Sequence, residues 1–507
     1  MAAIKQPKVI LLDEPGLEFG FGQKTPEPHD GLSLFGPFEQ DRPSHPKSPA
    51  YIVLGPPEGI QHFEDWSRAM SLPAAYVSPK GKKPHRLWVP YPGFEAAFAA
   101  KWHERPVAKY VVDRDALLVA SRKKDPHERC FAVVDLYLEA FEKTKKLDAN
   151  PGVAVCVVPE EVHTNCRPKS WVHNPSDSGI TRKDKDSRLA GQKELFETFD
   201  PDKYHMSPDF RRQLKARSMK YKIPIQIVRE STLRLSDQKA FGDRGLTPLS
   251  DRMWNLATTL YYKCGGKPWR LATAREGVCY IGLAFRRAEE GNRTACCAAQ
   301  MFLDSGDGVV FLGEFGPWYS PESKQFHLTR EAARNLLAGV LSTYQQLDGK
   351  PLTEVFLHSR STISDEEFAG YKEACPPGIK LTGIRVRRDR ETPRLFRDGG
   401  MPVLRGTLLR VSAKAGYLFG AGFKPRLATY DGLEVPIPLR IDIEHGTADV
   451  EQVAADILGL TKLNYNTCRL GEAEPVTVGF SDAVGEILIS NPRIPPEDRQ
   501  QSFRFYI

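Results

Sequence analysis

No two of the nine cysteines are spaced as C-x-x-C, and the adjacent Cys296 and Cys297 are poorly placed to bridge each other. Reduced thiols in a cytosolic protein are the simplest account, with little prospect of a zinc site. No stretch nears the ~20 apolar residues that span a bilayer. The amino-terminal MAAIKQPKVILLDEP holds a four-residue apolar run, far short of a signal-peptide core. A soluble, cytoplasmic protein without membrane association is therefore expected. Neither G-x-G-x-x-G nor a Walker lysine pattern is met, although GLEFGFG at Gly16–Gly22 superficially suggests a phosphate loop. A G-x-S-x-G nucleophile elbow is also missing. There is no internal repeat and no low-complexity tract.

What is present suits an ordinary globular chain. At 507 residues it is too long for one typical core and fits two domains of about 200–250 residues. Its 71 Lys and Arg against 64 Asp and Glu leave a net charge of +7, which permits nucleic-acid binding without requiring it. Strand-like and helix-like segments alternate, which favours an α/β architecture. Val9–Leu12 and the nearly all-apolar Val153–Val158 read as strands, the latter as a buried parallel one. The polar stretch from Pro168 to Arg188 reads as a loop. After the break at Cys264-Gly-Gly-Lys-Pro, the runs Val278–Phe285, Thr294–Phe302 and Val309–Leu312 read as strands, the last two joined by the DSGDG turn. Thr329 can cap a helix from Arg330 to about Leu347, Glu354–His358 is a further strand, and Val450, Val453, Ala454, Ile457 and Leu458 form one helical stripe.

The densest chemistry lies in FRRQLKARSMKYKIPIQIVREST, Phe210 to Thr232. A helix from Phe210 to Lys220 is followed by a strand over Pro224–Val228. Between Arg211 and Lys222 the cations Arg211, Arg212, Lys215, Arg217, Lys220 and Lys222 occur with no acid among them. Arg211 and Lys215 are four apart and so project from one helix face about a turn apart. Gln226 follows in the strand. Cationic and amide donors gathered in so small a volume suit a terminal phosphate, whereas an arbitrary cluster of this kind is more often a solvated face. Lys263 ends a second helical segment just before Gly265 and Gly266.

This arrangement resembles the guide 5′-phosphate pocket of Argonaute MID domains, with Arg211, Lys215, Gln226 and Lys263 at the matching positions. Thr259, one turn before Lys263, stands where some relatives carry a further lysine. LEFGFGQKTPEPHDGLSLFGP, IVREST, YYKCGGKPW, CCAAQMFLDSGDG, LTKLNYN and the final FRFYI are similar to blocks of short prokaryotic Argonautes, especially those paired with TIR-APAZ proteins. The resemblance implies a Rossmann-like MID domain within residues 1–266, after an N-terminal segment, and an RNase H-like PIWI domain over 267–507. It also implies that the carboxylate of Ile507 returns to the pocket and, with the guide phosphate, binds Mg²⁺.

An RNase H centre needs acidic ligands on adjacent strands to hold two metal ions. On the resemblance, the first aspartate belongs where Ala284 stands, in VCYIGLAF. The second belongs at the end of EVFLHSRS, where Arg360 lies among His358, Ser359 and Ser361. Asp482 is similar to the fourth position. A methyl group cannot ligate a metal and a guanidinium repels one, so no strand cleavage is expected. Arg397-Asp398-Gly399 spells the RDG that often carries the second aspartate, but follows a charged, proline-containing segment and reads as a turn. Arg385 and Arg387 share a strand face, fit equally for lining a nucleic-acid channel or for solvent. His445 has no metal-spaced neighbour and reads as a surface residue. Trp254, Trp269 and Trp318 read as core aromatics.

The expectation is a guide-binding sensor: a small guide RNA held by its 5′ phosphate, a complementary single-stranded DNA target, and no catalysis by this chain. The resemblance implies a heterodimer with an APAZ protein whose TIR domain consumes NAD⁺ and aborts phage or plasmid propagation, with higher oligomers on activation. A Sir2-like or nuclease effector is the alternative. From other classes, an active nuclease using Asp398 and Asp482, or a nucleic-acid binder without a guide, would also fit.

Overall fold

A computed structural model describes residues 7–76, 86–179, 204, 206–236, 246–287, 295–302, 308–315, 318–320, 325–346, 351–388, 392–432, 434–491 and 495–507. Within it the chain forms two principal sheets. The first has four parallel strands in the order Ala108–Val111, Tyr51–Gly55, Val153–Val158, Ile225–Arg229. Val153–Val158 is buried along its whole length because it sits between neighbours and is covered on both faces. Val153, Val155 and Val157 join one apolar cluster with Phe63 and Trp66. Ala154, Cys156 and Val158 join another with Val133, Tyr137 and Leu214. Period-two alternation thus places helices on each side of the sheet.

The second sheet has nine strands, beginning at Lys8–Leu11 and passing through Thr407–Arg410, Ala415–Phe419, Leu439–His445, Lys380–Arg387, Glu354–Ser359, Val278–Arg287 and Ala295–Phe302 to Gly308–Phe315. Glu354–Ser359 runs parallel to both its neighbours, and the last three strands form an antiparallel meander. Cys279, Ile281 and Leu283 face the helix Arg330–Gln346 in one cluster. Val278 and Tyr280 join the cluster that contains Val478, Val484 and Ile487 of helix Val476–Ile489. The expected α/β class, a Rossmann-like sheet plus an RNase H-like one, is the observed architecture.

Several boundaries differ from expectation. The first strand, Lys8–Leu11, pairs with Thr407–Arg410 at the edge of the nine-stranded sheet, and Leu17–Glu18 pairs with Arg270–Leu271. The chain's last turn, Phe503–Phe505, meets helix Leu249–Lys263. The 266/267 division is therefore crossed at both ends, and one apolar cluster runs through both sheets. The basic helix stops at Ser218 and tightens into a 3₁₀ turn, Met219–Tyr221, before Lys222 turns left-handed at φ 57°. Helix Arg330–Gln346 begins as expected, Thr329 Oγ1 accepting the Ala332 N–H at 3.2 Å. Gly399, at φ 95°, makes Arg397–Gly399 the turn anticipated, with Asp398 exposed. Trp254 and Trp269 are core residues. His445 is half-buried and not free in solvent: its Nε2 bonds Ile363 O at 2.7 Å and its ring stacks on Phe368. Pro168–Gly179 is irregular. The remainder of that loop, most of the DSGDG turn and the side chains of Cys296, Cys297 and Trp318 lie outside the described residues.

Candidate phosphate-binding cavity

Asp209 starts the basic helix by accepting the Arg212 N–H at 3.0 Å. Phe210 and Leu214 anchor the helix against the first sheet, and that rotation carries Lys215 inward, where it is 3% exposed. Three of the other cations of the run are paired with carboxylates. Arg212 pairs with Glu486 at 2.8 Å, Arg217 with Asp135 at 2.5 Å, and Lys220 with Glu142 at 3.2 Å. Arg211 and Lys215 instead line a cavity of about 660 Å³, together with Gln226 and Ile507.

The two lysines converge on the end of the chain. Lys215 Nζ donates to Tyr506 O at 2.9 Å and to Ile507 O at 2.6 Å. Lys263 Nζ donates to Arg504 O at 3.1 Å and also to Ile507 O. Lys263 stands behind the cavity wall, completely buried. Gln226 Nε2 donates to its neighbour Ile227 O at 3.3 Å, so its amide is not directed at the lysines. Burial pushes the Lys215 amine well below its ordinary range, and the nearby Lys263 and Arg211 push the same way. Burial, then the Arg211 charge, brings Lys263 down to about 7. Desolvated amines crowded by a guanidinium favour a multiply charged anion, because a nearby negative charge stabilises the charged form of each.

Sequence reasoning overlooked His163, Arg167, Arg229 and Asn255, which line the same cavity. Burial, Arg229 and Arg167 bring His163 down to about 4, so it faces the cavity as a neutral ring. Asn255 could have been found, since Asn255, Thr259 and Lys263 recur every four residues on one helix face. Arg252, on that face too, donates to Thr247 O and Thr232 O at 2.9 and 2.8 Å and clamps the helix start. Ile507 O gives the wall one hard oxygen of the kind Mg²⁺ takes, already shared by two ammoniums. Among the described residues no group of three or more His, Cys, Asp or Glu could hold a metal. A magnesium ion fits here only with ligand oxygens added.

The second region singled out from sequence lies on the other sheet. Ser359 pairs with Leu283, so Arg360 and Ala284 follow side by side on the face of helix Val476–Ile489. Ala284 is buried. Arg360 bridges Glu474 at 2.8 Å and Asp482 at 3.1 Å, and Arg388 takes the other Glu474 oxygen at 2.9 Å. His358 Nδ1 bonds Thr477 Oγ1 at 2.9 Å, and burial lowers its ring to about 3. Glu474 was not anticipated. Arg385 and Arg387 lie on one face of strand Lys380–Arg387, Arg385 Nε donating to Arg360 O at 3.2 Å.

No protein-family model matches the chain. A curated relative, the Argonaute of Aquifex aeolicus, is 23% identical over 300 residues, covering 58% of this chain and 38% of the relative. The fold is similar to that of Clostridium butyricum Argonaute bound to a guide DNA and a 19-mer target DNA, with a TM-score of 0.59 and 16% identity over 96% of this chain and 54% of that one. Aquifex aeolicus Argonaute aligns at a TM-score of 0.55 and 14% identity, over 96% of this chain and 54% of that one. The chain thus has an Argonaute-like fold and spans about half the length of those solved structures.

Proposed function

We propose that this chain is the guide-binding sensor of an RNA-guided defence complex. The four-stranded sheet is its MID unit and the nine-stranded sheet its PIWI unit. The observation that carries the reading is the convergence of Lys215 and Lys263 on Ile507 O, at a cavity that Arg211 and Gln226 also line. A guide RNA docks its 5′ phosphate there, and its negative charge favours the charged form of both amines. Ile507 O and the phosphate oxygens would supply hard ligands for Mg²⁺ there, which would offset the phosphate charge. Backbone contacts then present the guide, and pairing with single-stranded DNA supplies the sequence specificity.

The same reading makes the chain a sensor and not a nuclease. Ala284 offers no ligand, and the Arg360 guanidinium occupies the carboxylates Glu474 and Asp482. Work on the target therefore falls to a partner, an APAZ protein with a TIR domain that hydrolyses NAD⁺. The test is a comparison of 5′-phosphorylated and 5′-hydroxyl guide RNAs of one sequence. We expect at least tenfold tighter binding of the phosphorylated strand, and no cut in a labelled paired DNA with Mn²⁺. Equal affinities would indicate a binder without a guide, and a discrete cut would overturn the sensor role.

A further inference from the structure

Cys130 and Cys166 lie apart in the chain but share one apolar cluster, 0% and 2% exposed. Cys130 belongs to helix Pro126–Glu142, and Cys166 follows helix Glu160–Asn165, its N–H donating to Val162 O at 3.0 Å. The first helix is tied to the turn after Cys166, because Arg129 Nη2 donates to Ser170 O at 3.3 Å. The two thiols are hydrogen-bonded to each other, and that contact, with burial, pushes the Cys130 thiol well above its ordinary range. Two thiols in contact can close into a disulfide with little movement of the backbone.

The two sulfurs differ in access. Cys166 lines the cavity at Lys215, beside His163 and Arg167, whereas Cys130 lies behind it in the core. A solute small enough to enter the cavity therefore reaches Cys166 first. Cys166 also holds the cavity together: its carbonyl accepts the Phe210 N–H at 3.0 Å, and Phe210 opens the helix that carries Arg211 and Lys215. Sulfur pair, cavity wall and basic helix are thus joined through one residue.

We propose that Cys130 and Cys166 are a reversible oxidation site, closed into a disulfide by hydrogen peroxide that enters through the phosphate cavity. Peroxide transfers one oxygen to the Cys166 sulfur, whose S–H becomes S–OH as water leaves. The Cys130 sulfur then attacks, the S–S bond forms as the S–O bond breaks, and the departing hydroxide takes the Cys130 proton as a second water. Two thiols lose two electrons and two protons, and one peroxide becomes two waters. In a reducing compartment the bond is transient and is reopened by exchange with a dithiol. An S–S bond is about 2 Å long, shorter than any contact between free thiols. It therefore draws Cys166, with His163 and Arg167, toward helix Pro126–Glu142 and away from the cavity. The bond stands on the placement of the sulfurs; its effect on a guide rests on the proposed function.

The full chain is treated with hydrogen peroxide, remaining thiols are blocked with N-ethylmaleimide, and the unreduced digest is read by mass spectrometry. A linked Cys130–Cys166 peptide pair that dithiothreitol separates is expected. It should be absent in Cys130→Ser and Cys130→Ala, each checked for folding by circular dichroism. The oxidised chain should bind a 5′-phosphorylated guide RNA about fivefold more weakly or worse, recover with dithiothreitol, and show no such loss in Cys130→Ala. A prebound phosphorylated guide should slow the linkage, since it fills the route to Cys166. If no linked pair forms while phosphorylated guide still binds, the proposal is overturned and the guide reading stands. A linked pair in a chain without phosphate preference removes the guide reading and keeps the oxidation site. A linked pair that leaves guide affinity unchanged overturns its control of the cavity.

Discussion

The cavity at Lys215 and the cluster around Arg360 on the nine-stranded sheet are both built from cations, yet they present opposite faces to a ligand. Around Arg360 each positive charge has a carboxylate: Glu474 and Asp482 hold Arg360, and Glu474 also holds Arg388. At the cavity Lys215 and Lys263 have main-chain oxygens for partners, and their carboxylate-paired companions Arg212, Arg217 and Lys220 point elsewhere. Charge content does not separate the regions. What separates them is the kind of partner. Side-chain carboxylates already pair the cations of the first region, whereas Lys215 and Lys263 share the Ile507 oxygen with Arg211 close by, an excess of cations that a further anion can meet.

The largest expected effect is on the open side. Lys215→Glu or Lys263→Glu sets a buried anion beside the phosphate, at a cost of about 3–5 kcal/mol, a loss of at least a hundredfold in affinity for a 5′-phosphorylated guide. Fluorescence anisotropy should register that loss with little change for the 5′-hydroxyl strand. Unaltered binding in both variants would abolish the contrast between the regions. Arg211→Ala removes an exposed charge-assisted contact of about 1.5–3 kcal/mol, so roughly a tenfold to hundredfold loss is expected in the same assay.

A pH series sharpens the contrast. Lys263 is depressed to about 7 in the free chain, and a phosphate dianion must raise it. Guide binding then takes up a proton at alkaline pH, and affinity falls as pH rises from 7 to 9. Below about 6 the phosphate loses its second charge and affinity falls again. A 5′-hydroxyl guide should show neither limb, and Arg360→Ala should leave both in place. That last variant removes the Arg360 bridges to Glu474 and Asp482 and should lower the melting temperature while guide affinity stays within about threefold. The smallest effects belong to the outward pairs: Arg212→Ala or Lys220→Ala removes a surface ion pair worth about 0–1 kcal/mol. A large loss of guide affinity in either would mean that the basic run acts as a diffuse patch and not through an inward face.

How much of this was legible depended on how local each signal was. Val153–Val158 announced a buried parallel strand because an unbroken apolar run needs cover on both faces. The spacing of Arg211 and Lys215 announced a shared helix face, since 3.6-residue periodicity is a property of any short segment. Asn255 carried the same kind of signal and was overlooked, because attention stopped at Lys263. That His445 is half-buried was not legible because the carbonyl that holds it, Ile363 O, is 82 residues away. The strand Lys8–Leu11 was recognised, but its place beside Thr407–Arg410 was not, because pairing partners are absent from strand patterning.

By itself the amino-acid order determined the α/β class, the inward-capable spacing of the cations, and the non-acidic side chains of Ala284 and Arg360. Side-chain type and periodicity are written residue by residue, so they survive without coordinates. Only the tertiary structure decided that Lys215 and Lys263 meet at Ile507, which lies 292 positions beyond the first and 244 beyond the second. Only there could Arg360 be seen to spend its charge on Glu474 and Asp482. Coulomb and desolvation energies depend on distance through space and on access to water, and both come into being when the chain closes on itself.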